Sequence, residues 1–200
     1  MVFFTSDLHF CHNKEFLYGP RNFTNVEDMN AAIIKNWNDI IRDDDEVYVL
    51  GDLMLTDQEK GMECLRQLKG KIHIILGNHD TDNKVELYKT LPSVVEIADA
   101  LRINIDGYHF FLTHYPCITS DSYQQGKPLK KRLINLYGHT HQQTCFYKND
   151  NPCIYHVGLD SHECKPVSVK EIIFDISLVN DYLNDLNTGF LVPQTNRKDK

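Results

Sequence analysis

Residues 71–80 read KIHIILGNHD, an apolar and β-branched run that ends abruptly in a polar cluster. The run from 71 to 76 has the composition of a buried β-strand. The cluster GNHD at 77–80 follows at its carboxyl end, where open α/β sheets place their binding sites. This stretch therefore predicts a buried strand that delivers functional side chains to one edge of a sheet.

Two earlier stretches have the same form. Residues 2–5, VFFT, lead to Asp7, and residues 46–50, EVYVL, lead to Gly51-Asp52. Both runs are rich in Val, Tyr and Phe, which favour strands. Three strands that each end in a polar cluster indicate that the clusters meet at the same edge of one sheet.

Helical patterns separate these strands. Thr24 and Glu27 have the spacing of a capping box that begins the first helix. Asp57 begins the second helix, and Gly70 is its predicted stop. The first helix carries an apolar stripe at helical spacing, formed by Met29, Ile33, Trp37 and Ile40. The order β, α, β, α, β predicts a parallel sheet with helical crossovers.

The second half of the chain changes to shorter strands and tight turns. Residues 101–105 and 108–113 flank Asp106-Gly107, a pair that favours a hairpin turn matching the twist of the strands. A later capping box, Ser168 with Glu171, predicts a terminal helix. Further strands are predicted at residues 133–137, 144–147 and 153–157. We expect one domain over residues 1–192 and a polar, frayed tail over residues 193–200.

The composition is that of a soluble, folded protein. Apolar residues make up 42% of the 200 residues and charged residues 24%, with a formal net charge of −7. This acidity argues against a general nucleic-acid surface but permits a nucleotide substrate, since bound metals reverse the local field. The six cysteines have no Cys-x-x-Cys spacing, and no apolar run approaches membrane-helix length. We expect reduced thiols, a cytoplasmic location and neither export nor membrane insertion.

The polar clusters together contain the donors of a metal site. Asp7 and His9 are separated by one residue, so in an extended segment both can reach one ion. Asp52 has two carboxylate oxygens and can bridge two cations. Oxygen and nitrogen ligands of this kind suit two divalent metals that share one carboxylate, the arrangement of metal-assisted phosphoester hydrolysis. The candidate ligands are Asp7, His9, Asp52, Asn78, His114, His139 and His141.

The same reasoning divides the chemistry between metals and protein. Two close metals lower the pKa of a shared water, so a metal-bridging hydroxide is the expected nucleophile and no Ser or Cys nucleophile is required. His79 follows the ligand Asn78 and is the expected acid that protonates the leaving group. Asp80 is expected to orient the His79 ring or to support its cation.

The order Asp-x-His, Gly-Asp, Gly-Asn-His-Asp, His, Gly-His-x-His resembles the calcineurin-like metallophosphoesterases, from about Phe3 to beyond His141. The resemblance implies a four-layer αββα sandwich, an α/β fold of two mixed sheets flanked by helices. It also implies two divalent metal ions, manganese first, with iron, zinc or nickel as alternatives. It assigns one metal to Asp7, His9, Asp52 and His141, the other to Asp52, Asn78, His114 and His139, and the role of acid to His79.

One difference from the family pattern narrows the choice among the subclasses of the family. The segment after Gly51-Asp52 reads LML, without the phosphate-binding Arg of the Ser/Thr protein phosphatases and diadenosine-polyphosphate hydrolases. The chain is more similar to small bacterial and phage phosphoesterases, which share His12-Asn13, Arg-x-Phe at 21–23 and KPVS at 165–168. His12 and Arg21 are therefore candidate substrate contacts, with an exposed loop histidine and a surface salt bridge as the respective alternatives.

We expect a metal-dependent phosphoesterase that acts on a small phosphoester or nucleotide, with a preference for a phosphodiester because no cap domain is visible. A phosphomonoesterase or a nuclease of the same fold is the alternative; a nuclease would need a basic rim, and the dense basic cluster lies at residues 127–132. A non-catalytic protein-binding scaffold is the alternative of another class, although such relatives lose ligands that this chain retains. His73 and His109 are expected to be structural, and His156 and His162 flank a late loop that could border the pocket. The oligomeric state is left open.

Overall fold

The computed structural model of the protein describes residues 1–119, 127–147 and 151–188. Within these ranges the strands are β1 Val2–Thr5, β2 Glu46–Leu50, β3 Lys71–Ile75, β4 Val94–Ala98, β5 Leu101–Ile105, β6 Tyr108–Leu112, β7 Leu133–Tyr137, β8 Ile154–His156 and β9 Val167–Ser168. The helices are α1 Glu15–Tyr18, α2 Val26–Ile40, α3 Gln58–Leu65, α4 Asp82–Tyr88 and α5 Val169–Thr188, with short 3₁₀ turns at Leu129–Lys131 and Leu159–Ser161.

The strands form two mixed sheets. The first has the order β4-β3-β2-β1-β9, in which β1 to β4 are parallel and β9 is antiparallel to β1. The second has the order β5-β6-β7-β8, in which β5 and β6 form the antiparallel hairpin and the other pairs are parallel. The parallel start, the hairpin and the α/β architecture of two mixed sheets with flanking helices are confirmed.

Alternation along the central strands divides the core between two interfaces. In β2, Val49 packs in a cluster with Met29 and Trp37 of α2, whereas Leu50 packs in a second cluster with Phe110 of the other sheet. Successive residues of a strand point to opposite faces, so the first sheet has helices on one face and the second sheet on the other. The fully buried Trp37 stabilises this arrangement by about 3–5 kcal/mol relative to alanine.

The helix ends show which capping patterns the chain uses. The prediction of a Thr24–Glu27 box is wrong, because Asn25 caps α2 and its side-chain oxygen accepts from the backbone N–H of Asp28 at 2.8 Å. The Ser168–Glu171 box is confirmed, since the Ser168 N–H donates to the Glu171 carboxylate at 2.9 Å. Helix α3 ends at Leu65, before the predicted stop, and Gly70 adopts a φ of +93° in the turn that precedes β3.

Two strand predictions differ from the structure. Residues 144–147 contribute an isolated bridge between Phe146 and Tyr155 rather than a strand. Strand β4 was not predicted, because an edge strand with exposed Val95 and Glu96 lacks a clean apolar alternation. The predicted tail at 193–200 and most of the turn at 148–151 lie outside the described residues.

Other compositional predictions can be compared directly with the structure. All six cysteines lie in the described ranges and are free thiols, as expected. In the part of the chain that the structure describes, no helix has both the length and the apolar character needed to cross a membrane. The basic cluster at 127–132 is partly internal, because Arg132 is buried and its Nε donates to the carbonyl oxygen of Lys127 at 2.6 Å.

Candidate active site

The candidate ligands lie on loops that follow the carboxyl ends of strands from both sheets. Asp7 and His9 follow β1, Asp52 follows β2, and Asn78 follows β3. The remaining ligands, His114, His139 and His141, follow β6 and β7 of the second sheet. Because the two sheets pack face to face, these loops meet at one end of the sandwich.

Asp7 lies at the centre of a first ligand group. Its Oδ1 is 3.8 Å from Nε2 of His9 and 3.8 Å from Nε2 of His141. Those two imidazole nitrogens are 3.2 Å apart. The other oxygen, Oδ2, accepts from the Ser6 hydroxyl at 2.5 Å and from the His139 backbone N–H at 2.9 Å. Among the described residues, Oδ1 is buried and has no hydrogen-bond partner.

Asp52 links this group to a second one. Its Oδ2 is 3.6 Å from Nε2 of His9 and 3.5 Å from Nε2 of His114. His114 Nε2 in turn lies 3.0 Å from the side-chain oxygen of Asn78. Ligand atoms of Asp7, Asp52 and His114 all lie within 4.8 Å of one another. The Asp52 carboxylate therefore faces both groups, as expected of a shared ligand.

His139 borders the centre but belongs neither to the group of Asp7, His9 and His141 nor to the group of Asp7, Asp52 and His114. Its ring centroid is 5.0 Å from that of His114 and 4.7 Å from that of Tyr115. Burial lowers the pKa of His139, with the nearby His114 acting in the same direction. A neutral imidazole at this distance is consistent with its predicted role as a ligand of the second metal.

The donor set fits divalent cations. Carboxylate oxygens, an amide oxygen and imidazole nitrogens are the ligands of such ions in proteins. Burial holds the pKa of His9 well below its ordinary value, so the imidazole is neutral, as a metal ligand must be. A buried carboxylate oxygen without a donor, such as Oδ1 of Asp7, is uncommon in folded proteins and indicates a missing positive partner.

Backbone and side-chain acceptors orient two of the imidazoles. His114 Nδ1 lies 2.8 Å from the Leu50 carbonyl oxygen, so Nδ1 carries the proton and Nε2 is left for a ligand bond. His141 Nδ1 lies 2.9 Å from Oδ2 of Asp160, which orients its ring in the same way. Burial lowers the pKa of His141, but the hydrogen bond to Asp160 and the charge of Asp7 outweigh it and raise the pKa overall.

The expectation that Arg21 contacts substrate requires correction. Its side chain is 0% exposed, and Nε and Nη2 donate to the Asp160 carboxylate at 2.9 and 2.8 Å. Nη2 also donates to the carbonyl oxygen of Asp7 at 2.8 Å. Arg21 therefore forms a buried ion pair that positions Asp7 and, through Asp160, His141. Arg21 does not line the cleft that the candidate ligands border, which is the pocket between His9, Asp52 and His139.

Asp160 was missed by the sequence reasoning, which considered the histidines on either side of its loop. His156 is buried and its Nδ1 lies 2.8 Å from the Ser161 hydroxyl, while Nε2 of His162 donates to the His156 carbonyl at 2.9 Å. Neither belongs to a ligand group in the described residues. The available signal for Asp160 was an acidic residue that lies between two histidines and two positions after a glycine.

Asp80 also differs from its predicted role. Its carboxylate accepts from the backbone N–H groups of Asp52 at 2.7 Å and Gly77 at 2.9 Å, and from the Tyr88 hydroxyl at 2.8 Å. These bonds hold the loops after β2 and β3 together. The His79 ring is not among these partners, so Asp80 positions the backbone rather than the predicted acid.

His79 lies at the open side of the centre. Its side chain is 42% exposed, and its Nε2 is 4.0 Å from Oδ2 of Asp52. The His79 backbone N–H donates to Oδ1 of Asp52 at 2.9 Å, and its carbonyl accepts from the buried Lys84 amine at 2.7 Å. Lys84 was not singled out from the sequence. It fixes the His79 backbone while the imidazole stays accessible.

His12 faces the same opening. Its ring centroid is 5.4 Å from that of His9, and its Nδ1 is buried with no partner among the described residues. Burial lowers the pKa of His12, and the nearby His79 adds to the effect. His12 also lines the pocket that His9, Asp52 and His79 border, so its ring lies beside the candidate ligands.

Comparison with known proteins identifies the family to which the chain belongs. A family model described as the calcineurin-like phosphoesterase superfamily domain matches residues 1–158. The chain belongs to this superfamily. It is similar to Uncharacterized protein MJ1445 of Methanocaldococcus jannaschii, 40% identical over 118 residues that make up 58% of each chain. The match therefore spans less than two thirds of that relative.

Two further proteins resemble this calcineurin-like phosphoesterase. Gene 66 protein of Mycobacterium phage L5 is 28% identical over 181 residues, 80% of this chain and 86% of the phage protein. A solved structure, the protein of unknown function AQ665 from Aquifex aeolicus, is 24% identical with a TM-score of 0.63 and covers 87% of this chain and 98% of its own. At 24% identity, the match to AQ665 shows a similar fold and no more.

Glycines of the superfamily motif allow the ligands to approach closely. A Cβ on Gly77 would lie 2.3 Å from Oδ1 of Asp52, and a Cβ on Gly138 would lie 2.6 Å from Oδ2 of Asp7. Both distances are far shorter than a carbon–oxygen contact permits. The Gly-Asn-His-Asp and Gly-His-x-His motifs therefore begin with glycine because a carboxylate occupies the place of the side chain.

The ligand backbones are strained in a way typical of functional sites. Non-glycine residues with positive φ are uncommon, and each costs of order 1–3 kcal/mol. Such strain persists where the surrounding structure determines the conformation and where function requires it. The candidate ligands with positive φ are Asp7 at 58°, His9 at 48°, Asp52 at 58°, His139 at 68° and His141 at 49°.

Proposed function

We propose that this calcineurin-like phosphoesterase is a dinuclear metal-dependent phosphodiesterase. The observation that carries the proposal is the buried, unpartnered Oδ1 of Asp7, placed 3.8 Å from both His9 and His141. Asp52 extends the same cluster to His114. Membership of the superfamily supports phosphoester hydrolysis, and the ligand geometry supports its dependence on metal.

The seven candidate ligands would hold the ions. The first ion would take Asp7, His9, Asp52 and His141, and the second would take Asp52, Asn78, His114 and His139. When bound, such ions polarise phosphoryl oxygens, activate water and neutralise developing negative charge. The protein contributes the fixed geometry of these ligands, through strained loops and imidazoles oriented at Nδ1.

His79 is proposed as the acid that gives its imidazole proton to the departing oxygen as the phosphorus–oxygen bond breaks. Its exposed ring is accessible from the cleft, and its backbone is held on both sides, by Asp52 and by Lys84. His12 is proposed as a contact to a phosphoryl oxygen because its ring lines the cleft beside His9. General acid catalysis of this kind contributes about 10²–10⁴ in rate.

The cleft favours a diester over a monoester. It has a volume of about 510 Å³, and none of the described residues that line it is lysine or arginine. A monoester dianion carries one more negative charge than a diester and gains more from such side chains. The basic cluster at 127–132 also does not line the cleft, which argues against a nuclease.

The test uses purified protein with added manganese, and with iron, zinc and nickel in parallel. We expect turnover of bis(4-nitrophenyl) phosphate to exceed that of 4-nitrophenyl phosphate. Asp52→Asn should remove most of this activity. On diphenyl phosphate, which releases the more basic phenolate, His79→Ala should lower turnover by at least about 100-fold. The loss in His79→Ala should be smaller for 4-nitrophenolate, which needs less protonation.

His109→Ala is the matched control, since His109 lies in β6 and contacts Asn104 rather than the centre. It should retain wild-type activity. Turnover that is indifferent to Asp52→Asn, to His79→Ala and to chelation of the metals would refute the proposed function.

A further inference from the structure

The cleft has two chemically different sides. One side is formed by candidate ligands and by His12, His79 and Asp160. The rest of the described lining is an apolar wall formed by Phe16, Leu17, Pro20 and Leu55. Small-molecule pockets typically combine a few placed polar groups with an apolar lining of this kind. The polar side matches a phosphoryl group, so the apolar wall is available for another part of a substrate.

Phe16 is the residue of the wall that is turned towards solvent. Phe16 is 73% exposed, whereas the next residue of α1, Leu17, is buried in the core cluster that contains Met29 and Trp37. The Phe16 ring meets the His12 ring edge to face, with centroids 5.6 Å apart. Helix α1 therefore uses Leu17 to anchor itself and leaves an unstacked aromatic face at the rim of the cleft.

The charges around the wall restrict what it can bind. None of the described cleft-lining residues is lysine or arginine, and Asp52 and Asp160 lie on the polar side. The chain as a whole has a net charge of −7. An additional phosphate or carboxylate would find no lysine or arginine among the described lining residues. An uncharged planar ring would bury its faces against Phe16 and its edge against Leu55 or Pro20.

The size of the cleft agrees with such an occupant. Its volume of about 510 Å³ lies within the range of pockets that hold ligands of nucleotide size. A phosphoryl group held by the candidate ligands would occupy only its polar end. The remaining space adjoins Phe16, on the side of His12.

We propose that the apolar wall is a subsite for the aromatic ring, a nucleobase or an aryl group, of the substituent that stays on phosphorus. This inference rests on the proposed phosphodiesterase function. Phe16 is then a specificity-determining residue: it contacts the retained ring by stacking and takes no part in the bond that breaks. His79 serves the departing oxygen.

The experiment compares diesters that share 4-nitrophenolate as leaving group and differ in the retained substituent: methyl, phenyl, or thymidine attached through its 5′ oxygen. Wild-type kcat/KM should be at least about five-fold higher for a ring-bearing diester than for the methyl diester, since stacking of a base on an aromatic side chain is of that size. The phenyl and thymidine arms distinguish an aryl from a nucleobase substrate.

Phe16→Ala should reduce this preference to within about two-fold, and Phe16→Trp should preserve it. Phe174→Ala is the matched control, because Phe174 is a phenylalanine that is 67% exposed on α5 and does not line the cleft. A preference that survives Phe16→Ala, or a wild type without preference, would overturn the inference.

Binding of thymidine 5′-monophosphate and of methyl phosphate, measured by calorimetry with manganese present, separates this inference from the proposed function. Tighter binding of the nucleotide that is lost in Phe16→Ala supports the subsite even if no diester is hydrolysed. Equal affinity for the two ligands in the wild type counts against the subsite even if diesters are hydrolysed.

Discussion

The buried ion pair between Arg21 and Asp160 gives the most direct test of how the centre is held. The Asp160 carboxylate accepts from Arg21 at 2.9 and 2.8 Å and from His141 at 2.9 Å. Burial opposes its ionisation, but these hydrogen bonds and the Arg21 charge lower the pKa of Asp160 far below its ordinary value. The carboxylate is therefore charged wherever the protein is folded near neutral pH, and Asp160→Asn removes that charge with little change of volume.

The cost of Asp160→Asn follows from what it leaves behind. The Arg21 guanidinium is fully buried, so the variant leaves a cation without its counter-charge. Removing one partner of a buried pair typically costs about 3–5 kcal/mol, against a total stability of about 5–15 kcal/mol for a domain of ordinary size. We expect the free energy of unfolding to fall by about 3–5 kcal/mol.

The assay is urea unfolding at neutral pH, with Asp39→Asn as the matched control. Asp39 undergoes the same chemical change in an exposed pair with Lys35 on α2, and its loss should cost less than about 1 kcal/mol. If the two variants unfold within about 1 kcal/mol of each other, the reasoning from the buried pair is wrong.

The same variant should weaken metal binding. Without the Asp160 carboxylate the His141 ring loses the acceptor that holds Nε2 towards Asp7, and loss of such a contact costs about 10- to 100-fold in metal affinity. Calorimetric titration of metal-free protein with manganese measures this directly. Unchanged affinity would show that His141 is oriented without Asp160.

Two further predictions concern buried groups away from the ligands. The Lys84 amine donates to the Met54 and His79 carbonyl oxygens, each at 2.7 Å, and Lys84→Met removes that donor. We expect the free energy of unfolding to fall by about 1–3 kcal/mol and kcat to decrease. Lys89→Met, at an exposed lysine, is the control, and equal effects of the two substitutions would contradict the positioning role of Lys84. Burial lowers the pKa of His156 to about 3, whereas an unfolded histidine titrates near 6.5. Unfolded chains therefore bind the proton first as pH falls, and this group should lower the free energy of unfolding by about 2–3 kcal/mol between pH 6.5 and 4.5, with no effect above 6.5. His156→Asn should flatten that part of the profile in urea unfolding, and an unchanged slope would argue against it.

Strand-forming runs that end in polar clusters were sufficient to predict the three parallel strands β1, β2 and β3 and the convergence of the polar clusters that follow them. Runs such as 46–50 and 71–75 have one fully buried face, and their last two residues are both buried, so each run reads as a strand that becomes apolar towards the site. Strand β4 lies at an edge and has no fully buried residue, so its pattern in the sequence is weaker. Central strands are therefore easier to predict from the sequence than edge strands.

Side-chain partners were less predictable because they depend on contacts between distant segments. Arg21 and Asp160 are separated by 139 residues, and no local pattern tells a buried guanidinium from one that faces substrate. Asp80 likewise belongs to the recognised Gly-Asn-His-Asp motif, yet its partners include Asp52, 28 residues earlier. Motif membership identified these residues as important, whereas only the fold decided which neighbours they serve.

A common principle connects the residues that hold the centre. Four of the candidate ligands are anchored through an atom other than the one that faces their fellow ligands: His114 and His141 by Nδ1, Asp7 by Oδ2 and Asp52 by Oδ1. The opposite atoms, Nε2 of the histidines, Oδ1 of Asp7 and Oδ2 of Asp52, crowd together within a few ångströms. Two buried carboxylates, an unpaired oxygen and left-handed backbones are each unfavourable in the protein alone. A divalent cation relieves the electrostatic part of this cost, so metal binding and folding stability should be coupled in this protein.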